Sequence, residues 1–478
     1  MTSRPMASPS VPLLLAMTAF GAVLAPLNST MVAVALPDIR ADFSLSRGAV
    51  AWLVSGYLIA MAVAQPLGGR LGDQLGRARV YRWGLIAFLV CSIAAALAPN
   101  FLLLVGLRIA QAVSGAVLIP NGMAILRTQV PPNKLGRLTG INGSILSGAA
   151  AMGPLIGAAV LAFGSWRWMF PLSIPPILVA LFLLRRLHID QDARPSRTPI
   201  DWVGLALFVA LLAVVTLQLS ALRNGDGGAT MTARWMVAGA VAVLFTWRQL
   251  VSSSPTAEWR LFRLRSFSGA SAYVLLTNLS MYTTLLMIPF FIRDVQGKGS
   301  LRSGLLLGAM SALVAIMSPI GGAFSDSLGR RLPAQVGAAL MTAGAIALLA
   351  GLHRDVSSAY LAVCLALLGV GLGIGTGPAS TAAFESAPAS LAGSAAGTSS
   401  MMRYVGSIVG AGILAGVLNK SNAGQADVTT FRLVAMAVAG TAALAVVAAT
   451  FIHRHPPVSN WVIVEAAIPQ QRRESGDR

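Results

Sequence analysis

Two stretches decide the fold: GGRLGDQLGRAR at 68–79 and GGAFSDSLGRR at 321–331. Both read Gly-Gly, three residues, Asp, two residues, Gly-Arg, which aligns Gly68, Gly69, Asp73, Gly76 and Arg77 with Gly321, Gly322, Asp326, Gly329 and Arg330. A single copy is compatible with a tight basic turn that does nothing more. A second copy at a corresponding place marks two homologous halves in one chain. The glycines let a helix end approach its neighbour closely. The aspartates can cap a helix or pair with the arginines that follow. The arginines suit the anionic inner leaflet of a membrane.

Around these loops the chain is apolar. Hydrophobic residues make up 56% of the 478 and charged residues only 11%, far below the share of a soluble protein. Apolar runs of about 20 residues span a bilayer, and fourteen can be read: 11–36, 49–69, 80–98, 101–126, 138–163, 166–184, 202–222, 233–251, 267–292, 303–325, 333–351, 357–384, 398–418 and 431–452. Each is expected to be helical, because a helix satisfies its own backbone polar groups in lipid. The fold class is therefore all-α and polytopic. With both termini inside, the inner segments hold 22 of the 35 basic residues, the outer loops 11, and Arg108 and Arg403 fall inside spans. That bias favours cytoplasmic termini, although the inner loop around 385–397 carries no basic residue.

The net charge of +19 is spread in short clusters between apolar runs, which fits a membrane and argues against nucleic acid. Cys91 and Cys364 both lie inside spans, so no structural disulfide is expected. His188, His353, His453 and His455 lie at span ends or beyond, with no metal cluster. No Walker loop is present, so ATP is not the expected energy source. No cofactor is expected.

Inside the spans three polar features stand out. LRIAQAVSGA at 107–116 puts Arg108 roughly 10 Å from the outer end of the fourth span, with Gln111 one turn on along the same face. A charge at that depth is a functional candidate. The alternative is an arginine that snorkels outward or meets a backbone carbonyl. GAAAMGPLIGAA at 148–159 holds Gly153, Pro154 and Gly157, which promise a close, bent helix contact. LAPLNSTMVAVALPD at 24–38 sets Asn28, Ser29 and Thr30 in an apolar run without a charge.

These motifs resemble those of the major facilitator superfamily, over nearly the whole chain. The repeated loop is similar to that family's signature between the second and third helices. The resemblance implies that Asp73 reaches the span near Gly397, and Asp326 the cytoplasmic end of the fifth span. Fourteen spans point to the drug:proton antiporter branch, which places two extra helices between six-helix halves. The implied organisation is 1–187 for one bundle, 188–264 for two linker helices that suit a peripheral position, 265–452 for the second bundle and 453–478 for a cytoplasmic tail. The segment around Arg108 resembles the fourth-helix motif linked to proton transfer, with Ala112 where glycine is usual. The Gly153-Pro154 segment resembles the kinked motif of exporters, with Ala149 and Ala158 replacing two glycines.

The first-helix stretch resembles that branch's Leu-Asp-x-Thr-x-Val-x-x-Ala-Leu-Pro, and Leu27, Thr30, Val32, Ala35, Leu36 and Pro37 match. The aspartate, tied in the family to cations or protons, is Asn28 here, which hydrogen-bonds but cannot titrate. No Asp or Glu lies well inside any of the fourteen spans. Asp38, Asp201 and Glu385 stand at span ends, where a solvated or capping role is the alternative to function. The proton-coupling candidates are thus Arg108, Glu385 and Asp38. A cavity with arginine and no carboxylate favours neutral or anionic substrates.

Cavity candidates by the family's helix arrangement are Asn28, Tyr57, Gln65, Arg108, Gln111, Asn142, Asn278, Tyr282 and Met310. Each has a plainer alternative, since polar residues also bond helix to helix. The expected function is a secondary-active exporter of small amphipathic compounds in the cell membrane. It would act as a monomer among lipids, with protons as the implied partner. A facilitator or dedicated natural-product or lipid exporter with weak proton coupling is the alternative. A membrane enzyme or a receptor is more remote.

Overall fold

The computed structural model describes residues 10–130, 132–187, 201–221, 228–252, 259–387, 392–418 and 428–454. Among them the chain is built from fifteen α-helices: α1 Val11–Asp42, α2 Arg47–Leu75, α3 Arg77–Ala96, α4 Phe101–Ala116, α5 Leu118–Gln129, α6 Pro132–Phe163, α7 Ile174–Arg186, α8 Trp202–Ala221, α9 Gly228–Val251, α10 Arg265–Phe290, α11 Ser300–Leu328, α12 Arg331–Gly351, α13 Ser358–Glu385, α14 Ala392–Leu418 and α15 Val428–Thr450. α4 and α5 are one rod interrupted at Val117. Pro120 has no N–H to donate to the Ala116 carbonyl, which explains the break. Fourteen helical rods therefore correspond to the fourteen apolar runs.

Twelve of the rods are long and apolar enough to cross a membrane. The other two are α6, whose described apolar part is Gly148–Phe163, and α9, which carries Arg234 and Arg248. One run differs from expectation. Residues 166–173 form two 3-10 turns, Trp166–Met169 and Pro171–Ser173, before α7 begins. Pro171, Pro175 and Pro176 lack the N–H groups that α-helix would need there.

Side chains mark several helix starts. The Ser46 hydroxyl accepts from the Ala49 amide at 3.1 Å, Asn100 from Leu103 at 2.9 Å and Ser357 from Tyr360 at 3.1 Å. Both copies of the repeated loop adopt one conformation. Gly76 ends α2 at φ +96° and Gly329 ends α11 at φ +81°, a region costly for any residue with a Cβ. In both, the arginine that follows pairs back to the aspartate, Arg77 to Asp73 at 3.0 Å and Arg330 to Asp326 at 2.7 Å.

The packing has a marked asymmetry between the two ends of the molecule. Towards the end where α1 finishes, one apolar core joins early and late helices. Met31, Leu36 and Val54 share it with Leu286, Ile292 and Leu307. Towards the end where α1 starts and α15 finishes, the core divides. One part holds Leu14, Tyr81, Leu126 and Leu184, and the other Phe267, Ala334, Ala379 and Ala449. No described residue belongs to both. Early and late helices meet where α6 packs on α11 and α2 on α14. α8 packs against α2, α14 and α9 on one side and leaves Trp202, Val203 and Leu217 exposed on the other. Large apolar side chains such as Trp83, Leu102, Phe182, Trp247 and Leu444 face outward, as lipid contact requires.

Candidate functional site

The neutral polar knot of α1 explains the helix crossings at the centre of the molecule. Thr30 bonds the Pro26 carbonyl of its own helix at 3.0 Å and the Ala150 carbonyl of α6 at 2.9 Å. Directly beside it, a Cβ on Gly153 would collide with the Thr30 hydroxyl, and one on Gly157 would come within 2.8 Å of the Met31 carbonyl. The Gly-Pro segment thus lets α6 lie against α1. On its other side α6 lies against α11, where a Cβ on Gly304 would collide with Ala158. Ser29 bonds the Tyr282 hydroxyl of α10 at 2.8 Å, a polar tie between early and late helices.

Asn28 points the other way and donates to the Ser173 hydroxyl at 2.6 Å. Its backbone carbonyl lies 3.5 Å from Arg108 Nη2. Arg108 does not snorkel: it is 0% exposed. Its Nη1 donates to Gln111 Oε1 at 2.6 Å, and Gln111 donates on to Ser92 at 2.8 Å. The guanidinium lies 4.1 Å from the centre of the Tyr57 ring and 5.9 Å from that of Phe170. Arg108 Nε and Asn28 Oδ1 are buried with no hydrogen-bond partner among the described residues. Among those residues Arg108 also has no carboxylate partner.

A second arginine sits close by. Arg403 of α14 is partly buried, and its Nη2 reaches Ser380 at 3.5 Å. Its electrostatic neighbours are Tyr404 and Tyr282. Tyr404 packs on the cluster that holds Tyr282 and on the one that holds Tyr57. Gln65 lies beside the Tyr404 hydroxyl. The centre therefore gathers two arginines and three phenols from α2, α4, α10 and α14.

Of the sequence-derived cavity residues, Asn28, Tyr57, Arg108, Gln111 and Tyr282 are brought together directly, and Gln65 joins through Tyr404. Asn278 bonds the Val274 carbonyl of its own helix at 2.8 Å, and Met310 is buried in the apolar core. The Asn142 side chain lies outside the described residues. Ser29, Ser92, Phe170, Ser173 and Tyr404 complete the cluster without having been among the candidates. Tyr404 follows Arg403 directly in MMRYVGS, which is the one signal that pointed to it.

The boundary carboxylates are all paired. Asp38 meets Arg293 and accepts from Ser300 at 2.6 Å, while Arg40 holds Asp294 through two bonds of 3.2 Å. These contacts link the end of α1 to the α10–α11 turn. Glu385 takes two bonds from Arg330, at 2.7 and 3.1 Å, and lies 3.7 Å from His453 Nε2. Those bonds push the Arg330 guanidinium above its ordinary pKa. Asp201 accepts from Arg248 at 2.8 Å and caps α8 through the Gly204 amide at 3.0 Å. Asp73 and Asp326 each pair with the arginine that follows, one of the roles expected of them. The stretch before Gly397 that Asp73 is expected to reach includes residues outside those described. The expected partner of Asp326 at the start of α6 lies outside the described side chains.

Compared with known proteins, residues 18–411 match the model of the Major Facilitator Superfamily. The tetracenomycin C resistance and export protein of Streptomyces glaucescens is 30% identical, over 75% of this chain and 67% of that protein. The multidrug resistance protein Stp of Mycobacterium tuberculosis is 31% identical, over 84% and 74%. The crystal structure of a D-xylose-proton symporter superposes with a TM-score of 0.65 at 14% identity, covering 94% of this chain and 98% of that one.

Proposed function

The chain belongs to the major facilitator superfamily, and from that premise we propose that it exports small amphipathic compounds by alternating access. It is a multi-pass membrane transporter and not an enzyme. The observation that carries the alternating-access reading is the asymmetry of the core: one shared core at one end, two separate cores at the other. Two bodies that rock about a central site need such a division. The bodies we assign are 1–187 and 265–452, with α8 and α9 between them and 453–478 as a tail.

Both termini are placed in the cytoplasm, on the basic-residue bias, in the cell membrane. The end with divided cores then faces inward, and the Asp38–Arg293 and Arg40–Asp294 pairs close the outer end. In that state the loop aspartates have no need to bridge the two bodies, which agrees with Asp73 being satisfied by Arg77. The working unit is taken to be a monomer in lipid, as is usual for this fold. Printed names of two relatives, resistance and export proteins for tetracenomycin C and for multiple drugs, support outward transport.

Proton coupling is the family expectation, with Arg108, Asp38 and Glu385 as its candidates. One observation favours the second reading, weak or absent coupling. Asn28 replaces the titratable residue, and Asp38 and Glu385 are each engaged by arginine at a helix end. The test is transport in proteoliposomes under an imposed pH gradient, with cationic, neutral and anionic amphipaths added in turn. Substrate-dependent collapse of the gradient marks a proton antiporter, and Glu385→Gln and Asp38→Asn then find the carrier. Substrate flux without proton movement supports a facilitator. No protein-dependent flux of any compound contradicts the exporter reading.

A further inference from the structure

We propose that the substrate is an organic anion held between Arg403 and the Tyr57–Tyr282–Tyr404 phenols, and that its export is driven by membrane potential and not by protons. This rests on the exporter reading above and names the substrate class of that site.

Charge is the first ground. Arg108 lies over the Tyr57 ring, and Tyr404, next to Arg403 in the chain, packs on the clusters that hold Tyr57 and Tyr282. Among the described residues neither arginine meets a carboxylate. No Asp or Glu in the sequence lies within a span to supply one. A cation buried in low dielectric without a counter-charge is unfavourable. The two here are relieved only by neutral dipoles and ring faces: Gln111, Ser380, the Asn28 carbonyl and Tyr57. An anionic ligand supplies the missing charge.

The second ground is division of labour. Arg108 is wholly enclosed and committed to Gln111 and the Tyr57 face, so it sets the field of the site. Arg403 is partly accessible, and among the described residues its side chain bonds only Ser380, at 3.5 Å, which leaves donors for a ligand. Arginine presents a planar fork suited to carboxylate, sulfonate or phosphate oxygens. Phenol rings beside it suit an aromatic body; the Tyr57 hydroxyl is committed to the Ala25 carbonyl and that of Tyr282 to Ser29, which leaves Tyr404 as the phenol to bond a ligand. Arg108 Nε, buried and without a partner among the described residues, is a donor that the protein's own groups leave unused.

The energetic consequence accounts for Asn28. A cell interior is electrically negative, so each monovalent anion that leaves gains about fiftyfold in equilibrium ratio per 100 mV. An exporter of anions therefore needs no titrating residue in the membrane. An exporter of cations works against the same potential and does need one.

The experiment uses the full chain in proteoliposomes with a potassium diffusion potential set by valinomycin and equal pH on both sides. The probes are naphthalene-1-sulfonate, which is anionic at all working pH values, naphthalene-1-carboxamide, and trimethyl(naphthylmethyl)ammonium. The expected result is sulfonate accumulation that rises towards about fiftyfold at 100 mV positive inside, reverses with the sign of the potential, and leaves lumenal pH unchanged. Arg403→Gln should lower the sulfonate rate about tenfold or more, with Arg403→Lys recovering part of it and both variants melting near the wild type.

Asn28→Asp, which sets a carboxylate beside Arg108, should weaken sulfonate transport and make it depend on pH. Transport of the cation or the amide without the sulfonate overturns this inference and leaves the exporter reading standing. Sulfonate flux that ignores potential and moves protons overturns the driving force claimed. Absence of protein-dependent flux for all three probes overturns both the inference and the exporter reading.

Discussion

At the scale of single residues, Arg108 is the most demanding. It is a buried cation held by an amide, a carbonyl at the limit of bonding distance and a ring face. Because no carboxylate depends on it, its removal strands no opposite charge. Arg108→Gln should therefore cost no more than about 1–3 kcal/mol, the penalty of leaving the buried Gln111 oxygen without its donor, while reducing transport at least tenfold. Melting curves beside flux measurements check both halves of that statement, and a large loss of stability would mean an unseen partner. The Arg108–Gln111 bond was legible from spacing, since residues three apart share a helix face. The meeting of Tyr57, Tyr282 and Tyr404 was not, because it depends on how α2, α10 and α14 are seated. Asp38 and Glu385 were legible as end-of-span residues. Their arginine partners were not, since Arg293 and Arg330 come from other helices or turns.

At the scale of elements, small residues decide which helices touch. A Cβ on Gly153 lands on the Thr30 hydroxyl, so Gly153→Val must force α1 and α6 apart. A loss of about 1–3 kcal/mol is expected, seen as a lower melting temperature in detergent; an unchanged one would contradict the crossing described. α8 and α9 are joined at their ends by Asp201 and Arg248. Burial raises the Asp201 pKa, but the bonds from Arg248, the Gly204 amide and Ser252 outweigh it and hold the carboxyl below its ordinary value. A carboxylate with a depressed pKa stabilises the fold above its unfolded pKa and loses that effect as pH falls through the folded one. Asp201→Asn should thus lower the melting temperature at pH 7, by about 1–3 kcal/mol of stability, with the gap to wild type closing under acid. A gap independent of pH would reject the ion pair as its cause. The sequence displayed both elements as apolar runs, yet gave no sign that α8 would sit against α2 and α14, because a run that is apolar all round does not announce its partner.

At the scale of the whole molecule, the repeated loops were enough to foresee a duplicated helical transporter, since one turn conformation with a left-handed glycine recurs at Gly76 and Gly329. What they could not convey was the state of the machine, with apolar packing continuous at one end and divided at the other. That difference reflects a balance between alternative packings and not a local preference of any segment. The Arg40–Asp294 pair spans the closed end, and alternating access requires it to part in every cycle. The most direct measurement introduces Arg40→Cys and Asp294→Cys together, joins them in proteoliposomes with a short bis-methanethiosulfonate, which forms a disulfide to each cysteine as methanesulfinate leaves, and follows substrate flux before and after cleavage by a reductant. The account predicts that flux stops when the link forms and returns when it is cut. Full transport through the linked protein would contradict it.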